Sequence, residues 1–158
     1  MIDMTVQDPH GIIVGNIDPL YHLTPETLPF WEGCSHEELW LPQCSECQTI
    51  LHPFDAICSV CLSPTREWVR ASGEGKVISW VIYQRSNNPV FAIPYVVALV
   101  ALSEGPHMIS NLVDCSQPTK TAGMSVRIVF DQLTDRVTLP RFRPRPIRLE
   151  ANTYDHSR

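Results

Sequence analysis

Apolar residues along this chain recur mostly in the two-residue period of half-buried strands. Lys76–Tyr83 is rich in β-branched and aromatic residues and is launched by Gly73-Glu74-Gly75. Tyr95–Leu102 is an almost unbroken apolar run ended by Ser103-Glu104-Gly105-Pro106, which reads as a strand closed by a turn. His107–Val113 follows as its return strand. In Ser125–Phe130, Val126, Ile128 and Phe130 fall on one face, with Ser125, Arg127 and Val129 on the other. Arg136–Leu139 closes the series before Pro140. Five short strands with mostly hairpin connections suit a small closed barrel of the OB type. An open sandwich is the second choice, with few strands for two sheets.

The first half of the chain is patterned differently. Residues 1–24 read as an irregular arm, punctuated by Gly11, Gly15 and Pro19. Thr24 offers a helix N-cap, Pro25 fits the first helical position, and one or two short helices run to about Leu39, interrupted by Pro29. The expected organisation is an arm (1–24), a helical segment (25–40), a cysteine ribbon (41–69), a barrel (70–144) and a tail (145–158). The segment Arg85–Pro94 is too long and too rich in Asn and Pro for a tight hairpin, so an extended loop is expected there, where function often resides.

The cysteines carry the clearest chemistry. Cys44-Ser45-Glu46-Cys47 and Cys58-Ser59-Val60-Cys61 form two Cys-x-x-Cys knuckles ten residues apart. A two-residue spacer lets both sulfurs of a knuckle reach one ion, and zinc takes four thiolates in a closed tetrahedron. Such a shell has no open position, so the metal holds the fold and does no chemistry. Binding is worth on the order of 10 kcal/mol to a segment too small to build its own core. A turn between two short strands, with His52 and Pro53 in it, would bridge the knuckles. Iron in a rubredoxin-like site, paired disulfides and a thioredoxin-type redox pair are the alternatives. Cys34 and Cys115 lie outside the pattern and read as small packing residues. None of the six His pairs at i, i+4.

Composition narrows the function. The 158 residues carry a formal charge of −5, yet Met1–Thr65 contains nine acids and no Lys or Arg. All 12 basic residues follow, four of them clustered as Arg141, Arg143, Arg145 and Arg148. The basic end suggests a charged partner or ligand, or else a solvated tail, whereas the acidic ribbon argues against phosphate polymers and so against a single-stranded nucleic-acid module, the rival class. No run approaches the about 18 apolar residues of a membrane span, and no basic secretory leader is evident, so a cytoplasmic location is expected.

The order of motifs then resembles a known family. Phe30-Trp31-Glu32-Gly33, Leu39, the two knuckles, Ser72-Gly73-Glu74-Gly75-Lys76-Val77, Pro94-Tyr95 with Val96–Val100, Glu104-Gly105 and Leu139–Pro144 are similar to the bacterial and archaeal proteins that fuse a rubredoxin-like zinc ribbon to an OB fold and associate with acyl-CoA enzymes. The likeness covers Pro25–Pro144. It departs where members often have Gly or Pro around the knuckles and this chain has Gln48 and Ser59.

The resemblance implies a subunit without catalytic residues of its own, with structural zinc at Cys44, Cys47, Cys58 and Cys61. The implied partner is a thiolase-like enzyme in thiolytic or retro-aldol cleavage of steroid side chains or aromatic compounds, or else a hot-dog-fold hydratase. A CoA thioester would be shared at the boundary. Arg85, Arg141, Arg143 and Arg145 are candidates for its phosphates, Phe91 and Ile93 for its apolar arm. Phe30, Trp31 and Trp40 are candidates for partner docking, or else simply roof the domain. A free-standing enzyme acting on CoA esters is the third possibility.

Overall fold

A computed structural model describes residues 6–7, 13–14, 24–52, 56–85, 93–115, 122–134 and 137–145. The architecture is mainly β, with one short helix and a closed five-stranded barrel. Strands β1 (Val6–Gln7) and β2 (Ile13–Val14) pair antiparallel.

Helix α1 spans Leu28–Ser35 and is the single helix among the described residues. Its start corrects the expected cap. Residues 25–27 form a turn in which the Thr24 carbonyl accepts the N–H groups of Thr27 and Leu28, and Thr27 is the N-cap. The Thr27 hydroxyl accepts the Thr24 N–H at 3.0 Å, so the threonine pair braces the turn before the helix. Pro29 therefore sits in the first turn, where a missing N–H costs nothing, and opens the helix instead of interrupting it. The helix ends when the Gly33 carbonyl accepts His36 and Glu38 N–H groups, with Glu37 at φ 60°. Gly33 is required there: a Cβ would lie 2.5 Å from the Trp40 ring and 2.8 Å from the Glu38 carbonyl.

The chain turns directly into β3 (Leu39–Cys44), which pairs antiparallel with β4 (Arg66–Ala71) from Leu39↔Ala71 to Cys44↔Arg66. The cysteine segment is thus the excursion at the end of this hairpin. Between the knuckles, the described residues contain only an isolated bridge, Gln43↔Ile50, in place of two short strands; Pro53 lies outside them.

The barrel comprises β5 (Glu74–Tyr83), β6 (Tyr95–Leu102), β7 (His107–Leu112), β8 (Ser125–Thr134) and β9 (Val137–Pro144), closed in the order β5-β6-β7-β9-β8. A register shift at Ile78 in β5 keeps Val77 and Trp80 facing inward on either side of it. The last strand runs on through Pro140, correcting the expected stop before it. Parallel pairing of β9 with β7 is confined to Leu112↔Phe142, and the Pro140 carbonyl accepts the Ser110 hydroxyl, so the residue without an N–H interrupts no ladder on that side.

One core joins all three parts. Phe30 and Cys34 of α1, Leu39 and Leu41 of β3, and Val77, Val100, Leu102, Met108, Val126 and Phe142 of the barrel belong to one buried cluster. Hence β3 is fixed on the barrel by its inward leucines, and the cysteine excursion is held at a defined place. Close approach at Gly75 is part of this packing, since a Cβ there would stand 2.5 Å from the Ala101 carbonyl oxygen. Replacing a strand glycine by Ala ordinarily stabilises, but Gly75→Ala is expected to cost about 2 kcal/mol in urea unfolding because the colliding atom is backbone.

Candidate metal centre

The two knuckles are backbone copies of one another. Cys44 N–H donates to the Thr49 carbonyl and Gln48 N–H to the Cys44 carbonyl, both at 2.9 Å. Cys58 N–H donates to the Ser63 carbonyl and Leu62 N–H to the Cys58 carbonyl, again at 2.9 Å. The residue after the second cysteine is left-handed in both, at φ 61° for Gln48 and 62° for Leu62. This is the position where glycine is cheapest, so the sequence departure noted at Gln48 has a physical cost but does not alter the turn.

These turns aim all four sulfurs at one point. The Sγ atoms of Cys44, Cys47, Cys58 and Cys61 lie within 4.8 Å of one another, with Cys44–Cys61 at 3.5 Å and Cys47–Cys58 at 3.6 Å. Sulfurs ~2.3 Å from one tetrahedral ion stand about 3.8 Å apart, so the arrangement is compatible with structural zinc. All six cysteines are free thiols, and the short contacts run between knuckles rather than within them. Cys44 and Cys58 are buried and Cys61 is exposed. The Thr49 hydroxyl and N–H hold the Cys47 thiol down to about 6. At Cys61 the Ser63 N–H acts in the same direction, but hydrogen bonds from the other three cysteines and desolvation outweigh it and push the thiol up to about 12. Cys34 lies in the core, where burial raises its thiol to about 12; it is a packing residue. Cys115 packs against the same core.

The remaining candidates are dispersed. Phe30 is 4% exposed and makes an edge-on contact with Trp31 at 5.1 Å, so the expectation that Phe30 docks a partner is corrected: its ring is core. Trp31 is partly buried. The Trp40 indole N–H donates to Glu38 at 2.8 Å, and the same carboxylate pairs with Arg70 at 3.2 Å, directly across the β3–β4 hairpin. Arg85 and Ile93 are exposed, whereas Phe91 lies outside the described residues.

Arg141 and Arg143 of β9 and Arg145 just beyond it are each matched by an acid that sequence spacing did not reveal. Arg141, a candidate phosphate ligand in the sequence, is fully buried, pairs with Asp131 at 3.2 Å and lines a cavity of about 170 Å³ with Tyr95, Asn111 and Asp114. Arg143 pairs with Asp114 at 3.5 Å and Arg145 with Glu74 at 2.6 Å, both at half-exposed positions. Sequence reasoning missed Arg127, which stands directly opposite Arg143 in the β8–β9 register, an arrangement of like charges that costs stability. It also missed Lys76, Ser103 and Ser125, which line a cleft of about 290 Å³ together with Glu74 and Arg145. Strand register, which brings Arg127 to Arg143, was the missing signal.

Two outcomes follow in urea unfolding. Asp131→Asn removes a carboxylate that faces the buried Arg141 guanidinium and is expected to cost about 3 kcal/mol, against at most about 1 kcal/mol for Arg143→Gln or Arg145→Gln. Gln48→Gly relieves the left-handed turn and is expected to stabilise by about 1 kcal/mol.

Residues 68–131 match the family model described as the C-terminal OB-fold domain of ChsH2. The chain is similar to a probable enoyl-CoA hydratase alpha subunit of Thermomonospora curvata, 36% identical over 116 residues, 73% of this chain but only 36% of that protein. It therefore spans about a third of that longer relative. A DUF35 domain-containing scaffold protein of Pyrococcus furiosus is 35% identical over 105 residues, covering 62% of this chain and 76% of that one. Among solved structures, a chain of the Ltp2–ChsH2(DUF35) aldolase superposes with a TM-score of 0.72 at 32% identity, over 78% of this chain and 97% of that one. No helix among the described residues is long and apolar enough to cross a membrane. With the paired knuckles, the closed barrel and these likenesses together, the chain belongs to the DUF35 family.

Proposed function

We propose that this chain is a non-catalytic subunit of a cytoplasmic complex that cleaves a carbon–carbon bond in a CoA thioester, by thiolysis or retro-aldol reaction. Its partner is a thiolase-like enzyme that carries the nucleophile and the acid–base groups. The observation that carries the reading is the fit to the solved Ltp2–ChsH2(DUF35) aldolase, which takes in nearly all of that chain at 32% identity. Convergence of ligand atoms supports it too. Among the described residues, the four cysteines are the one group of three or more His, Cys, Asp or Glu whose donor atoms come together, and four thiolates would hold zinc without an open position. Steroid side chains or aromatic acyl groups are the substrate class. A hydratase partner is the second reading, favoured by the name of the Thermomonospora relative.

In this reading zinc fixes the ribbon on β3, and the barrel presents a boundary at which the CoA thioester is shared. Arg143 near the end of β9 and Arg145 just beyond it are half-exposed, so their guanidinium groups can exchange a carboxylate for a phosphate. Arg85 and Ile93 border residues 86–92 and would meet the ligand from that end, with Phe91 between them in sequence. Trp31 and Trp40 would lie towards the partner.

Elemental analysis of the purified chain is expected to give one zinc per polypeptide, and Cys58→Ser to abolish it and lower Tm. Co-expression with a thiolase-like subunit is expected to give a stable heteromer that cleaves its acyl-CoA, with no turnover by this chain alone. Assembly with a hot-dog-fold hydratase instead would select the second reading; unaided turnover would refute both.

A further inference from the structure

The matched knuckles contain an internal comparison. Because their backbones follow the same hydrogen-bond scheme, their side chains can be paired position by position: Gln43 with Ile57, Glu46 with Val60, Gln48 with Leu62. In the first knuckle these positions are polar. In the second they are apolar and open to solvent, at 50% exposure for Ile57, 68% for Val60 and 69% for Leu62. The turn itself does not call for apolar residues, since its copy is built without them.

Leu62 makes the point more sharply. It occupies a left-handed backbone position at φ 62°, which a bulky side chain rarely adopts, and that side chain is mostly in water. The residue thus carries a conformational cost with little burial to offset it. Isolated exposed apolar residues are ordinary, but three on one tight turn, one of them in a conformation that favours glycine, mark a contact surface. No charged residue occurs from Ala56 to Thr65.

We propose that Ile57, Val60 and Leu62 form an apolar knob by which the second knuckle inserts into the acyl-CoA enzyme subunit that partners this chain. This rests on the subunit reading above and adds the contact that reading leaves unspecified. The occupant follows from charge as well as from shape. The neighbouring knuckle, whose sulfurs lie within 4.8 Å of the second's, carries the exposed carboxylate of Glu46 at the position that matches Val60, so the socket that receives the knob is apolar with Lys or Arg on the side that meets Glu46. A metal-braced turn suits this role because the knob is ordered before it binds.

The test is isothermal titration of the zinc-loaded chain with a thiolase-like acyl-CoA enzyme subunit from the same organism, alongside Tm for each variant. Leu62→Gly is expected to raise Tm by releasing the turn, yet to weaken binding by about tenfold or more; Val60→Ser is expected to weaken binding similarly with Tm nearly unchanged. The matched substitutions Gln48→Gly and Glu46→Ala are expected to leave Kd within about threefold. If the parent chain binds and the Val60 and Leu62 variants bind equally well, the knob is refuted while the subunit reading stands. If the parent chain binds no acyl-CoA enzyme, that reading falls and the knob with it. A lower Tm for Leu62→Gly would place the side chain under a segment of its own chain, and self-association abolished by these variants would make the occupant a second copy; either result overturns the proposal.

Discussion

Four sulfurs drawn to one point are the constraint on which the N-terminal half of this protein depends. Among the described residues, the segment between β3 and β4 buries almost no apolar material: its buried cluster consists of Cys44, Leu51 and Cys58, with Cys47 packed against them. So small a cluster cannot offset the entropy of ordering two tight turns, each with a non-glycine residue in the left-handed region. Four thiolates on one cation would supply that cohesion, and they would do so through residues that β3 already fixes. Leu39 and Leu41 are buried with Phe30 of α1 and with the barrel residues Val77, Val100 and Phe142, while Cys44 ends the same strand. Position is therefore transmitted along one strand from the barrel core to the knuckles.

Charge in the second half obeys a related economy. The arginines in and just after β9 look like a cationic tail in sequence, yet Arg141, Arg143 and Arg145 each have a carboxylate within ion-pair distance. Burial divides them into two kinds. The Arg141–Asp131 pair has its guanidinium fully buried and its carboxylate mostly so, and it braces the β8–β9 ribbon from within. The Arg143 and Arg145 pairs are half-exposed, weak and exchangeable, which is what a surface that binds an anion intermittently needs. A row of arginines thus contains both structural members and candidate ligands, separated by exposure and not by residue type.

Much of this was legible in the chain. Tyr95–Leu102 has the bounds its apolar run suggested, and the turn at Ser103–Pro106 closes it as turn chemistry dictates. The knuckle spacing located the sulfur cluster. What escaped was set by long-range register. Pro140 looked like a terminator because nothing local reveals that the β7 side of β9 has little ladder for it to break. Thr24 looked like a cap because the local signal at Thr27 is just as good, and Pro29 decides between them only once the helix start is known. The partners of the arginines lie up to 71 residues away, beyond any spacing rule. Gly33 and Gly75 could be noticed as motif members, but their reason, the Trp40 ring and the Ala101 carbonyl, exists only in the folded chain.

The most direct test of the sulfur-centred constraint is X-ray absorption at the zinc edge on the protein as isolated. A shell of four sulfur neighbours at ~2.3 Å, with no nitrogen or oxygen scatterer, is the expected result. A shell with fewer than four sulfurs, or an absorber other than zinc filling the site, would contradict it.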